Sequence, residues 1–206
     1  MTAAPLNRHD HFKKLFPKEP KFRIKQIEKA YFTQSMKGWD DVTTLGKEMR
    51  SVLTKEIPWI SCKSVSVLSS KTGDTHKAVL EGLDGELFET VLMANNRDQW
   101  TICVSSQIGC AMGCVFCATG AMGLKRDLSS DEIADQFRFW RQFLLDRPEL
   151  NQRISNVVFM GMGEPLVNIE NVKAAIKTWL DYTDIGPTRI TVSTVGVLPV
   201  LQEILT

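Results

Sequence analysis

The chain lacks several things, and each absence narrows what it can be. No run of about 18 apolar residues occurs in its 206 residues, so no membrane span is implied. Met1 to Asp10 is polar and holds no apolar stretch, so no secretory signal is expected. Cysteine is scarce: five residues, an odd number, with three in one tight group. That pattern argues against a secreted disulfide framework and fits a reducing cytoplasm. Histidine is scarcer still, and His9, His11 and His76 all lie far in sequence from the cysteine group.

What is present reads as a globular chain of one or two domains, 43% hydrophobic and 24% charged. The net charge of +1 hides an asymmetry. Residues 1–63 carry 13 Lys/Arg against 7 Asp/Glu, a net +6, while residues 64–206 carry 12 against 17, a net −5. A basic end points to a nucleic-acid partner, although a solvated helix face gives the same pattern and is the simpler reading on charge alone.

Residues 1–20 are polar, and Pro5, Pro17 and Pro20 are expected to break regular structure there. From Lys21 a helical pattern puts Phe22, Ile27, Ala30 and Tyr31 on one face. Thr43 or Thr44 can cap a second helix with Leu45, Met49, Val52 and Leu53 inward, closed by Pro58. Residues 1–60 thus read as a small helical domain. Residues 61–97 read as a β-meander: Val65 to Leu68, a turn at Lys71 to Asp74, His76 to Glu81, a hairpin signal at Asp84-Gly85, and Glu86 to Met93. Residues 98–206 alternate strand and helix. Thr101 to Ser105 is a strand, and Ser129-x-x-Glu132 is a capping box opening a helix with Ile133, Phe137, Trp140 and Leu144 on one side. Val157 to Met160 reads as a strand buried on both faces, followed by a helix with Val172, Ala175, Ile176 and Trp179 inward. Arg189 to Ser193 is a third strand, and Val197 to Thr206 begins a third helix. The alternation predicts a parallel sheet, with ligands beyond the carboxyl ends of its strands.

Three loops lie at that end: Cys110 to Cys117, Gly161-Met162-Gly163-Glu164-Pro165, and Ser193-Thr194. The first holds Cys110, Cys114 and Cys117 at C-x3-C-x2-C, with Phe116 before the last. Simple iron–sulfur carriers use four thiolates per cluster, so a set of three suggests a cubane with one iron left open. The alternatives are a zinc knuckle, which needs a fourth ligand and usually a second cysteine pair that is missing here, or free buried thiols. In the second loop, glycines permit close approach of a ligand and Glu164 supplies a carboxylate for an ammonium group.

The cysteine loop resembles the radical S-adenosylmethionine (SAM) signature. Cys103 to Cys110, the cysteine loop, Asn156 to Asn168 and Arg189 to Thr194 together resemble the radical-SAM adenine-C2 methyltransferases of 23S ribosomal RNA, which also modify certain tRNAs. The resemblance runs over essentially the whole chain. It implies that Cys110, Cys114 and Cys117 ligate a 4Fe–4S cluster and that Gly163, Glu164 and Ser193 contact SAM. It implies that Glu89 accepts a proton and that Cys103 resolves a protein–RNA adduct. On composition alone Glu89 is an ordinary strand carboxylate, and Cys103 a small buried hydrophobe. In that family a methyl group passes from SAM to a cysteine near the C-terminus. Radical chemistry from a second SAM then delivers it to adenine C2, which is no nucleophile. A reductant protein such as flavodoxin or ferredoxin, and no membrane, is implied.

The expected fold is therefore α/β, the N-terminal half of a partial (βα)6 barrel: three βα units, preceded by the helical domain and the meander. The methyl-carrying cysteine falls outside the matched part, and Cys62 matches no family position. The strand ending at Thr194 should have an open edge. A truncated or split product is expected. The alternative function is a catalytically incomplete cluster- and RNA-binding remnant.

Overall fold

A computed structural model describes residues 7–205; residues 1–6, with Pro5, and Thr206 lie outside the described residues. The polar start was expected to be irregular, yet it contains a helix, α1 (Arg8–Leu15). Asn7 caps it, its side-chain oxygen accepting the Asp10 amide at 2.8 Å. Pro17 and Pro20 fall beyond its end, where they interrupt nothing. The next helix, α2 (Lys21–Tyr31), begins directly after Pro20. Ile27, Ala30 and Tyr31 are buried, but Phe22 is exposed. Phe22 lies five positions before Ile27, which turns it about 140° away from the buried stripe. Helix α3 (Lys47–Glu56) follows Gly46 rather than Thr43 or Thr44. A 3-10 turn at Trp39–Asp41 intervenes, its Asp41 carboxylate accepting the amides of Lys37 and Gly38. Leu45 and Leu53 are buried, while Val52 is exposed.

The meander strands β1 (Cys62–Ser69), β2 (Thr75–Gly82) and β3 (Leu87–Ala94) pair antiparallel and join the main sheet directly. β4 (Trp100–Cys103) follows. The short strands β5 (Gln107–Gly109) and β6 (Leu124–Asp127) form a sheet of their own around the helical turn α4 (Ala118–Ala121). Helix α5 (Ser130–Leu145) opens with the expected capping box: the Ser129 hydroxyl accepts the Glu132 amide and the Glu132 carboxylate accepts the Ser129 amide. Then come β7 (Ile154–Phe159), α6 (Ile169–Tyr182), β8 (Ile190–Val192) and α7 (Leu198–Leu205). The six-stranded sheet runs β1-β2-β3-β4-β7-β8. β4 to β7 and β7 to β8 are parallel. Among the described residues β8 ends the sheet, paired with β7 alone, as expected of an open edge.

Helices α5 and α6 bury one face of this sheet. Leu92, Ile102, Val157 and Phe159 point into it, with Trp140 and Trp179 packed above. On the other face Val91, Thr101, Asn156 and Val158 stay partly exposed, and Met160 is 58% exposed. The strand at Val157 to Met160 is therefore buried on alternate residues, not on both faces. The period-2 pleat sends its odd and even side chains to a covered and an uncovered face.

The N-terminal helices dock on α5 through buried charge. Arg8 Nη1 and Nη2 donate to the two Asp135 oxygens, each at 2.9 Å, and Arg138 Nη1 donates to Asp135 at 2.6 Å. Arg138 also donates to the Tyr31 and Trp59 carbonyls. The Ser61 amide and hydroxyl donate to the same carboxylate at 2.7 Å. Burial pushes the Asp135 carboxyl up, but the charges of Arg138 and Arg8 and the hydrogen bonds outweigh it and hold it at about 2. A folded value below the unfolded one of about 3.9 stabilises fully above that pH, and the contribution is lost as pH falls through about 2. Asp135→Asn leaves two buried guanidinium groups short of a counter-charge. It is expected to cost about 3–5 kcal/mol in urea unfolding at neutral pH and to flatten the stability loss between about pH 4 and 2. A cost below about 1 kcal/mol would contradict this account of the docking.

Candidate functional site

The cysteine loop hangs from the β5–β6 hairpin. Ile108 pairs with Arg126 and Gly109 with Leu124, and the Cys110 amide donates to the Gly123 carbonyl at 3.0 Å. Gly109 has φ +77°, and a Cβ there would lie 1.8 Å from the Gly123 oxygen, so only glycine closes this hairpin. Cys110 is buried, Cys114 and Cys117 are half-buried, and all three are free thiols. The Cys117 amide donates to the Cys114 carbonyl at 3.0 Å. Backbone hydrogen bonds from Gly120 and Thr119, opposed by slight desolvation, pull the Cys117 thiol below its usual range. Val115 and Phe116 project into solvent between the cysteines. Among the described residues, no group of three or more His, Cys, Asp or Glu is arranged to hold a metal ion. The fit of the loop rests on its donor chemistry. Three free thiols share one short, partly exposed loop, and one of them is held below its usual range, which suits an iron–sulfur cluster held through three irons.

The Gly161–Pro165 loop is laced to the segment that leads into those cysteines. Gly161 donates to the Val104 carbonyl at 3.1 Å, Ser106 and Gln107 donate to the Met162 carbonyl at 2.8 and 3.2 Å, and Met162 donates to the Ser105 hydroxyl at 2.8 Å. The Glu164 amide donates to Gln107 Oε1 at 2.9 Å. Gly163 has φ +98°, and a Cβ there would meet Gln107 Cβ at 2.5 Å. Gln136 of α5 clamps the same segment, accepting the Ser105 amide at 2.8 Å and donating to its carbonyl at 2.9 Å. Glu164, 3% exposed, accepts from the Leu166 amide at 3.0 Å, the Thr194 hydroxyl at 2.5 Å and the Val195 amide at 3.0 Å. It thereby ties the second loop to the third. Ser193 is exposed beside Thr194 at the carboxyl end of β8. All three loops sit beyond the carboxyl ends of β4, β7 and β8, where α/β sheets bind ligands.

Glu89 and Cys103 share the face that α5 and α6 leave uncovered. Cys103 lies opposite Val91 on β3 and Val158 on β7, so Glu89, two residues before Val91, shares its face. Such diagonal neighbours stand about 7–8 Å apart. Cys103 is buried, and desolvation pushes its thiol up against one lowering hydrogen bond from the Met160 amide. The Glu89 carboxylate is half-exposed and pairs with Lys77 Nζ at 2.7 Å, while its carbonyl accepts the Ser105 hydroxyl at 2.5 Å. Sequence reasoning missed Lys77 and Gln136. The Asp84-Gly85 turn sets Val79 opposite Glu89, which brings Lys77 within diagonal reach. Gln136 was detectable as a polar residue on the apolar stripe of α5.

Residues 104–205 match the description Radical SAM superfamily. The chain is 38% identical over 193 residues to a probable dual-specificity RNA methyltransferase RlmN of Chlorobium phaeobacteroides, covering 90% of this chain and 53% of that protein. It is 39% identical over 183 residues to the dual-specificity RNA methyltransferase RlmN of Oleidesulfovibrio alaskensis, covering 88% and 51%. The chain spans about half the length of these curated relatives. A crystal structure of a radical SAM methyltransferase from Sphaerobacter thermophilus superimposes with a TM-score of 0.83 at 32% identity, over 97% of this chain and 60% of that one.

The thiols should differ in reactivity, since alkylation follows thiolate fraction and access. With iodoacetamide at pH 7.5 and mass-spectrometric mapping of the metal-free chain, Cys117 is expected to react well before Cys103 and Cys62. Burial raises both of the latter. Equal rates for Cys103 and Cys117 would refute the environments described.

Proposed function

From the premise that this chain belongs to the radical SAM superfamily, we propose that it forms part of a SAM-dependent methyltransferase acting at C2 of adenine in 23S ribosomal RNA and in tRNA. Membership implies a 4Fe–4S cluster and SAM as cofactors, and Cys110, Cys114 and Cys117 would hold the cluster. When bound, cluster and SAM supply radical chemistry, which C2 requires because it is not a nucleophile. Gly163 and Ser193 would take SAM by backbone approach and hydroxyl contact. Glu164 would serve the same ligand through a carboxylate now shared with Thr194 and Val195.

The observation that carries the reading is that Glu89 and Cys103 share the sheet face that α5 and α6 leave uncovered, Cys103 lying opposite Val91 two residues along β3 from Glu89. Glu89 would accept the proton leaving C2 on a carboxylate oxygen held by Lys77. Cys103, whose thiol burial pushes up, would attack the sulfur of the methyl-carrying cysteine and form a disulfide with it as the carbon–sulfur bond to RNA breaks, the electron pair staying on the released carbon, which takes a proton to become the methyl group. The five cysteines here include none that matches the family's methyl-carrying residue, so the proposal concerns the assembled enzyme. Electrons would come from a reductant protein such as flavodoxin or ferredoxin.

RNA contact by residues 1–60 is supported by a groove of about 770 Å³ lined by His9, Lys13, Lys21, Lys25 and Lys177, with Glu28 and Asp181 at its wall. Lysines from three helices facing one groove suit a phosphate backbone. No helix among the described residues is long and apolar enough to cross a membrane, and a cytoplasmic site of action is part of the proposal.

The test is the assembled enzyme with RNA, reductant and SAM, assayed for 2-methyladenosine by mass spectrometry. Cys103→Ala is expected to abolish turnover and leave RNA covalently attached to protein. Glu89→Gln is expected to lower kcat by about 10²-fold or more. Wild-type turnover in Cys103→Ala would remove the assigned role.

A further inference from the structure

Arg126 is 6% exposed although it carries a full charge on a short strand next to the cysteine loop. Its Nε and Nη2 donate to the Asp84 carboxylate at 2.7 and 2.8 Å. Its Nη1 and Nη2 donate to the Glu132 carboxylate, both at 2.9 Å, and Nη1 donates also to the Asp127 carbonyl at 3.0 Å. These five bonds use all five N–H groups that a guanidinium has. Glu132 is fully buried and at the same time closes the capping box of α5. Gly82 leaves room for the group: a Cβ there would lie 2.8 Å from Glu132, 3.0 Å from Arg126 and 3.1 Å from Asp84. Beside it, Lys125 pairs with Glu86 at 2.6 Å.

One side chain thus joins three elements that the site depends on. Asp84 belongs to the turn between β2 and β3, and β3 carries Glu89. Arg126 belongs to β6, which closes the hairpin holding the cysteines. Glu132 begins α5, whose Gln136 one turn later clamps Ser105. The cysteine loop has an exposed apolar tip and meets the sheet through this hairpin. We infer that Arg126 is a positioning residue: bridging Asp84 and Glu132, it fixes the cysteine loop against the strand of Glu89 and so controls retention of the cluster. The inference rests on the cluster reading of Cys110 to Cys117. Lysine cannot replace Arg126, because an ammonium group is a point donor and cannot serve two carboxylates with paired bonds.

The test compares wild type, Arg126→Lys, Asp84→Asn and the neighbouring control Lys125→Met after anaerobic reconstitution with iron and sulfide. Bound iron after gel filtration and the bleaching rate of the cluster absorbance under a chelator are measured, with circular dichroism to verify folding. Wild type and Lys125→Met are expected to retain the cluster. Folded Arg126→Lys and Asp84→Asn should lose it about tenfold faster or more, as removal of residues supporting metal ligands commonly does. Should Arg126→Lys fail to fold, Asp84→Asn decides. Retention equal to an iron-loaded wild type in a folded variant overturns this inference alone, whereas a wild type that takes up no iron overturns it together with the cluster reading.

Discussion

The parallel pairing of β4 with β7 is the constraint from which the site follows. It aligns Cys103 with Val158 and continues past both strands as hydrogen bonds between residues 104–107 and 161–164. Two loops are thereby fixed side by side at the same end of the sheet. The closeness explains the glycines: side chains at 161 and 163 would fall within 2.7 Å of Val104, Ser105 or Gln107. It also accounts for the clamp from Gln136, since chain running on past the end of a strand has amides and carbonyls to satisfy away from water.

From that pairing the two faces divide their work. One is closed by α5 and α6 and carries the large apolar side chains. The other is left uncovered by these helices and carries Glu89, Lys77 and Cys103. Two clusters of buried ion pairs brace this division. Asp135 with Arg8 and Arg138 fastens the N-terminal helices to the back of α5. Arg126 with Asp84 and Glu132 fastens the cysteine hairpin to the front of the sheet. Buried ion pairs add little net stability but restrict geometry when every donor is used, and the Arg126 cluster uses all five donors beside the short hairpin that carries the three cysteines.

Much of this was legible in the sequence because the signals are local. The Asp84-Gly85 turn and the Ser129–Glu132 capping box each depend on a few neighbouring residues, and both formed as expected. What escaped depends on distance. Helix α1 survives among prolines because Asn7 caps it and Pro17 falls after it. Phe22 has the composition of a core residue but lies off the stripe that α6 and α5 bury. The strand at Val157 to Met160 is apolar throughout, yet one of its faces has no partner. The bonds of Arg126 to Asp84 span 42 positions, and no local pattern announces them. The sites of Glu89 and Cys103 were readable only through resemblance, and it took the register of β3 against β4 to bring them to one face.

The central claim is that Cys110, Cys114 and Cys117 hold a cluster with one iron open to SAM. The most direct measurement is electron paramagnetic resonance of the reduced, anaerobically reconstituted chain, with and without SAM, alongside iron and zinc analysis. The account predicts about four irons per chain, a cluster signal that changes on adding SAM, and loss of both in Cys114→Ala. Zinc in place of iron, or a cluster signal indifferent to SAM, would contradict it.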